Sequence, residues 1–342
     1  MVCNRVLWDG DCEDGNVIMK IVITGGSGFI GTNLIERFMS ENYDVCNLDF
    51  NEPKISEHKS IWKNVDLRVY TDVERELISF NPDYIVHLAA RTDLDGKTIA
   101  DYDSNTLAVE NLLRAIKKLD NLKKIIITSS MLVCKVGYIP KSDRDFAPST
   151  LYGESKVITE NIVWKTQPDC DWAIVRPTSI WGPWFGVPYR NFFDMVIARK
   201  YFHIGNKGCT KTYGYVGNAI YEIEKILFSN TTEKTNKVFY IGDYVPTNIE
   251  DWANEIANQL GYKILKIPFW MICCAAFAGD MLKKVDIKFP MTSFRLKNMT
   301  TDNVVSLENT KAIVGKLKFD RIQGIEETLD WLKWEMHNGK QG

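Results

Sequence analysis

The chain has 342 residues, 45% of them apolar, enough to bury a sizeable core without cross-links as one large domain or two closely joined ones. Forty-two basic against forty-four acidic residues leave a formal net charge of -2, which argues against a nucleic-acid partner recognised by bulk charge. The eight cysteines lack the close, repeated spacing of a zinc site, so no metal is expected and the thiols read as reduced and mostly buried.

Residues 1–18 carry neither helical nor strand periodicity and read as an N-terminal extension. They lack a basic start followed by an apolar run, so the expected location is the cytoplasm. From Lys20 onward, short β-branched runs at 20–24, 43–49, 83–89, 123–129 and 171–177 alternate with amphipathic stretches such as 30–40 and 101–119. Continuous apolar strands separated by helices imply a parallel sheet covered on both faces. The expectation is an α/β fold, a Rossmann-type doubly wound parallel sheet over 19–180, with its ligand beyond the carboxyl ends of the strands. After Trp181 a loop rich in Gly, Pro and aromatics breaks the pattern. Helices near 189–199, 216–229, 248–260 and 323–337, with strands near 202–205 and 237–241, predict a smaller mixed α/β substrate-binding domain over 181–337. Some of its segments are expected to return to the sheet. The apolar stretch 267–279 is shorter than the roughly 20 residues a membrane span needs, so it reads as a buried or interfacial helix. No membrane partner is expected.

The segment Thr24-Gly25-Gly26-Ser27-Gly28-Phe29-Ile30-Gly31 follows the first strand and opens the first helix. Gly25 permits a tight turn, Gly28 lets backbone amides approach a pyrophosphate, Gly31 lets helix pack on strand, and the helix N-terminus adds partial positive charge. Asp49, at the end of the second strand, is placed to accept hydrogen bonds from adenosine ribose hydroxyls. A 2'-phosphate would meet like charge there, so NAD is favoured over NADP.

The strand at 123–129 runs into Thr128, Ser129 and Ser130, and the helix starting near Thr150 carries Tyr152 and Lys156. Residues four apart share a helical face, so the Lys156 ammonium can stand beside the Tyr152 phenol. A phenol of pKa near 10 is a poor base at neutral pH, but a neighbouring ammonium and a bound nicotinamide cation would favour the phenolate. Tyr152 would then exchange a proton with a substrate oxygen that Ser130 steadies.

Taken together, TGGSGFIG (24–31), HLAA (87–90), the Ser-Ser of ITSSMLV (127–133), YGESK (152–156) and RPTSIWGP (176–183) resemble the extended short-chain dehydrogenase/reductases. That group comprises nucleotide-sugar epimerases, dehydratases and reductases, and the likeness covers residues 19–337. It implies that Leu88, Ala89, Ala90, Phe29 and Ile30 line the cofactor, with Asn105, Thr128, Pro177 and Ile180 beside them. The segment 211–218 is similar to one whose arginine contacts a sugar-nucleotide diphosphate, and Lys211 stands at that position. Arg91, Ser179 and Arg295 are the other implied substrate contacts, although Ser179 replaces the family's usual asparagine. The resemblance also implies a homodimer paired through the helices at 101–119 and 149–166.

Where the sugar dehydratases carry Thr-Asp-Glu, this chain has Ser130-Met131-Leu132. Neither Met nor Leu transfers a proton, which argues against dehydration. The leading expectation is a nucleotide-sugar epimerase that oxidises a ring hydroxyl transiently. The alternative is an NAD(P)-dependent reductase or dehydrogenase of a keto-sugar nucleotide or an apolar, sterol-like alcohol, and a non-catalytic NAD-binding regulator is the third.

Overall fold

Among the described residues of the computed structural model (18–205, 208–229, 236–283 and 292–338), seven parallel strands form the central sheet. The first half of the chain runs β1 (Lys20–Thr24), α1 (Phe29–Ser40), β2 (Asp44–Asp49), β3 (Trp62–Asn64), α2 (Tyr70–Phe80), β4 (Tyr84–His87), α3 (Asp103–Ala115), β5 (Lys124–Thr128), α4 (Leu151–Thr166) and β6 (Asp171–Pro177). The second half contains β7 (Ser179–Trp181), α5 (Tyr189–Ile197), β8 (Phe202–Ile204), β9 (Thr210–Lys211), β10 (Tyr213–Tyr215), α6 (Val216–Phe228), β11 (Val238–Ile241) and β12 (Thr247–Asn248). It ends with α7 (Ile249–Gln259), β13 (Leu265–Ile267), α8 (Phe269–Lys283), α9 (Ser293–Met299), α10 (Glu308–Val314) and α11 (Arg321–Asn338).

The sheet order is β11-β6-β5-β4-β1-β2-β3, with β1 between β2 and β4. The chain leaves β1 toward β2 and β3, then crosses to the other side for β4, so the order reverses between β1 and β4. Alternating side chains of β1 supply both faces. Ile21 and Ile23 pack with Leu34, Ile35 and Phe38 of α1 and with Ile223 and Ile226 of α6. Val22 packs on the other side with Val73 and Leu77 of α2 and Leu112 of α3. All of these are fully buried, and each contributes about 1.5–3 kcal/mol. The expected doubly wound α/β fold is therefore present.

Several details differ from the sequence reading. β3 was not anticipated, because its three residues are half-buried or exposed and carry no apolar run. It is held by register with β2 and by Trp62 Nε1 donating to the Asp49 carbonyl at 2.8 Å. The helix expected over 101–119 is α3 flanked by two 3-10 turns, Ile99–Tyr102 and Ile116–Lys118. β11 returns to the sheet edge beside β6, carrying part of the second half back into the first.

The apolar stretch 267–279 forms most of α8, yet it is not buried all round: Trp270 and Phe277 are each 67% exposed. No helix among the described residues is long and apolar enough to cross a membrane. Cys46, Cys134 and Cys209 are buried, Cys170 and Cys273 half-buried and Cys274 exposed, all as free thiols. Cys3, Cys12 and the rest of the proposed extension up to residue 17 lie outside the described residues.

Candidate functional site

The glycine loop closes against its neighbours so tightly that side chains are excluded. Gly25 has φ of +72°, and a Cβ there would lie 2.5 Å from the Ala89 nitrogen. A Cβ on Gly31 would lie 2.4 Å from the Gly25 carbonyl, so the first turn of α1 rests directly on the loop. Gly28 differs: the nearest atom to its Cβ would be the Gly25 carbonyl at 3.2 Å, and it lines the open cleft. Asp49 accepts from the Ser27 amide at 3.0 Å and the Asn51 amide at 2.8 Å, tying the end of β2 to the loop. Burial raises its pKa, and these donated bonds oppose the rise.

The loop opens onto a cleft of about 860 Å³ at the carboxyl ends of β1, β2, β4, β5 and β6. Its walls bring together Gly25, Gly28, Phe29, Ile30, Gly31, Asp49, Leu88, Ala89, Ala90, Thr128, Pro177 and Ile180 with Ser130, Tyr152 and Lys156. Twelve of the thirteen purely cofactor-binding expectations thus share one surface, and Asn105 is the exception. It is fully buried behind the wall, where its side chain accepts from the Arg91 amide and donates to the Arg91 carbonyl and the Ser155 hydroxyl. Asn105 holds the loop after β4 against α4, so it is a positioning residue and not a wall residue.

The groups expected to react converge from two elements. Thr150 caps α4 by accepting from the Gly153 amide at 3.0 Å, which starts the helix in the register that carries Tyr152 and Lys156 to the cleft. Lys156 Nζ donates to the Thr128 carbonyl at 2.9 Å. Ser130 accepts from the Leu132 amide at 3.1 Å and also hydrogen-bonds the Tyr152 phenol.

Burial pushes the Tyr152 phenol up to about 12, with only the Ser130 hydrogen bond opposing it. The lowering expected from Lys156 is therefore not what the protein's own groups produce, and Tyr152 stands as a neutral phenol at pH 7. Lys156 is itself driven down to about 8 by burial, while Glu160 one turn further along supports its charge.

The residues present fit a dinucleotide. Gly28 leaves the backbone of the loop open to the cleft, where a Cβ would meet only the Gly25 carbonyl at 3.2 Å, and the Thr128 hydroxyl, buried in the wall, has no hydrogen-bond partner among the described residues. Such an orphan calls for a ligand group.

The implied substrate residues are not all brought together. Ser130 and Arg91 line the cleft, and Arg91 is paired with Asp93 at 2.8 Å and stacked over Tyr102. Ser179 lies behind the wall in β7 and hydrogen-bonds the phenol of Tyr189, which does line the cleft. Lys211 is half-buried in β9, paired with β12 and bridged to Asn303, and is not part of the wall. Arg295 belongs to α9, and its side chain lies outside the described residues.

Sequence reasoning missed two features. One is the far wall, including Phe185, Pro188 and Tyr189, which lie in the loop after Trp181 and at the start of α5. The other is a buried network: Ser129 donates to Glu160 at 2.6 Å, and Glu160 pairs with Arg176 at 2.7 Å with both side chains almost fully inaccessible. Glu160 follows Lys156 by four residues, so helical spacing was the available signal for it.

A model of the NAD dependent epimerase/dehydratase family matches residues 21–234. The chain belongs to that family. It is an NAD-dependent epimerase or oxidoreductase of the extended short-chain dehydrogenase/reductase type, as the motifs implied. Over 322 residues it is 26% identical to an N-acetyl-alpha-D-glucosaminyl-diphospho-ditrans,octacis-undecaprenol 4-epimerase from Escherichia coli O157:H7, covering 91% of this chain and 95% of that one. It is also 26% identical over 352 residues to a sterol-4-alpha-carboxylate 3-dehydrogenase (decarboxylating) from Saccharomyces cerevisiae, covering 92% and 98%. The crystal structure of a UDP-glucose 4-epimerase from Thermotoga maritima with UDP-glucose superposes with a TM-score of 0.71 at 19% identity, covering 93% of this chain and all of that one. Within the family fold, the glycine loop and the Ser130, Tyr152 and Lys156 site face one cleft.

Proposed function

We propose that this chain is an NAD-dependent nucleotide-sugar epimerase that oxidises a ring hydroxyl transiently, with Tyr152 as the base. The observation that carries the reading is the meeting of Ser130, Tyr152 and Lys156 in one cleft whose adjoining wall is Met131 and Leu132. Those two side chains cannot transfer the protons that elimination of water requires. NAD, when bound, accepts and returns hydride. Gly25, Gly28 and Gly31 would hold its pyrophosphate at the start of α1, and Asp49 its ribose, a carboxylate that favours NAD over NADP.

The protein's own groups handle the proton. Tyr152, neutral on its own, would act as the base once the charge of a bound nicotinamide favours its phenolate, taking the proton from the substrate hydroxyl and returning it, while Ser130 donates a hydrogen bond to the same oxygen as charge develops there. Lys156, anchored on Thr128 in the same cleft, does not lower the phenol by itself and would act together with the bound cofactor's charge. Arg91, which lines the cleft as Arg68 also does, is a cation available to a diphosphate through exchange of its exposed partner Asp93. We assign Ser179 an indirect part in sugar recognition, through Tyr189. The relative named for a sugar on diphospho-undecaprenol supports a diphosphate-linked sugar, without bearing on the nucleotide.

A second reading, net oxidation of an apolar alcohol, is favoured by the sterol dehydrogenase relative and by the uncovered apolar face of α8. Purified protein incubated with NAD and a panel of UDP-sugars and of sterol-like alcohols separates the two. Interconversion of isomers without net NADH is expected, whereas stoichiometric NADH formation with one alcohol would replace the epimerase reading. Pairing through α3 and α4 into a homodimer belongs to the same proposal, and light scattering reads it directly.

A further inference from the structure

One face of α8 is apolar and has no protein cover among the described residues. Trp270, Cys274, Phe277 and Met281 recur at intervals of four, three and four along it, and all are exposed. Trp270 and Phe277 are each 67% exposed and Met281 50%. The opposite face, through Ile272 and Ala276, packs on Leu296 of α9 and Ile204 of β8. Leu265 in the preceding strand is also bare, at 78% exposure. Contiguous apolar area of this kind marks a contact surface for protein or lipid.

Charge decides between those occupants. Residues 263–297 contain seven basic residues against two acidic ones, Asp280 and Asp286, in a chain whose net charge is -2. Lys263, Lys266 and Lys297 are exposed close by in sequence and fold. A second copy would bring two such basic segments together, which like-charge repulsion disfavours. An anionic lipid surface is complementary in both respects, since aromatic side chains settle at the headgroup boundary and lysines meet the headgroups. The 15 residues of α8 give a length of about 22 Å, short of the roughly 30 Å hydrocarbon core. The helix can therefore lie in the surface but cannot span it.

We propose that α8 docks in the plane of an anionic lipid bilayer, with Trp270 and Phe277 as anchors. This departs from the expectation of no membrane partner, and it does not depend on which alcohol the enzyme oxidises. The docking helix is joined to the cleft through α9, on which it packs. Beyond α9, Asn303 accepts from the Gly137 amide at 3.0 Å and lies 3.8 Å from the Met131 sulfur in the cleft wall.

The test is co-sedimentation of the full chain with vesicles of phosphatidylcholine alone or mixed with phosphatidylglycerol, at low and high salt. Binding to the anionic vesicles is expected, weakened by salt and by omission of phosphatidylglycerol. The Trp270→Ser, Phe277→Ser double variant should bind roughly tenfold or more weakly with an unchanged unfolding midpoint. In the wild type, Cys274 should become protected from a water-soluble maleimide once vesicles are added, read by peptide mass. Failure of the wild type to bind anionic vesicles, or binding without protection of Cys274, overturns the proposal. So does a dimer in vesicle-free buffer that the double variant dissolves, which would assign the face to a second copy.

Discussion

The ammonium of Lys156 is anchored on the main-chain carbonyl of Thr128, 2.9 Å away at the end of β5, so the helix that carries the phenol is pinned to the strand that leads into Ser130. The anchor lies in a fully buried position, and burial lowers Lys156 from its ordinary 10.5 to about 8. Between those values the unfolded chain holds a proton that the folded chain has lost. Stability contributed by this group therefore rises with pH from about 8 to 10.5, and the penalty is present in full below 8. Replacing Lys156 with Met removes that dependence. The stability difference between wild type and Lys156→Met, read by urea unfolding at stepped pH, should shift in favour of the wild type by up to about 3 kcal/mol across the window. A difference that stays flat with pH would refute the buried-ammonium assignment.

Tyr152→Phe keeps the ring that packs 6.2 Å from Tyr102 and removes only the hydroxyl. Folding and affinity for NAD should be preserved. Turnover should fall by about 10²–10⁴-fold, the range for loss of a positioned acid or base. A variant that retains wild-type turnover would show that Tyr152 is not the proton carrier.

The loop glycines should separate by role. Gly31→Ala places a Cβ 2.4 Å from the Gly25 carbonyl, a backbone atom that cannot swing away, and should destabilise the fold by about 1–3 kcal/mol. Gly28→Ala meets its nearest atom at 3.2 Å and should fold nearly as well, while its methyl projects into the cleft and weakens NAD binding. Thermal unfolding and NAD titration of the two variants check both halves, and equal loss of stability would contradict the distinction.

Asp49 already accepts two main-chain amides, so its removal loosens the loop as well as removing the proposed ribose contact. Asp49→Ala is expected to weaken NAD binding roughly tenfold or more and to narrow the preference over NADP. Parallel titrations with the two dinucleotides measure it, and an unchanged ratio would remove Asp49 from cofactor selection.

These residues were legible because their relationships are local. A glycine loop between strand and helix, and a Tyr and Lys four apart, are fixed by the chain's own periodicity. The alternating apolar runs likewise fixed five of the sheet's strands. β3 escaped because a three-residue edge strand with a half-buried Trp62 and exposed Lys63 and Asn64 buries almost nothing. The position of Lys211 outside the cleft wall escaped because two-residue strands such as β9 and β12 are set by long-range pairing, here with Thr247 and Asn303, which no local pattern encodes. Asn105 was placed in the right neighbourhood but on the wrong side of the wall, since its partners Arg91 and Ser155 come from two other segments.

The same blindness hid the pair beneath α4. Glu160 accepts from Ser129 and Arg176, and Arg176 also donates to the Asp143 carbonyl and to the Tyr240 phenol at 3.0 Å, so five segments meet at one buried charge pair. Burial alone would lower the Arg176 pKa, but the Glu160 carboxylate holds it above its ordinary value. Glu160→Gln leaves that guanidinium buried without a countercharge and should cost about 3–5 kcal/mol. It also removes the anion that supports the Lys156 ammonium, so the window described above should begin below pH 8 in this variant. A merely structural role for Glu160 would lower the unfolding midpoint and leave that window in place. Urea unfolding of Glu160→Gln and of Glu160→Gln with Lys156→Met, stepped through pH, distinguishes the two.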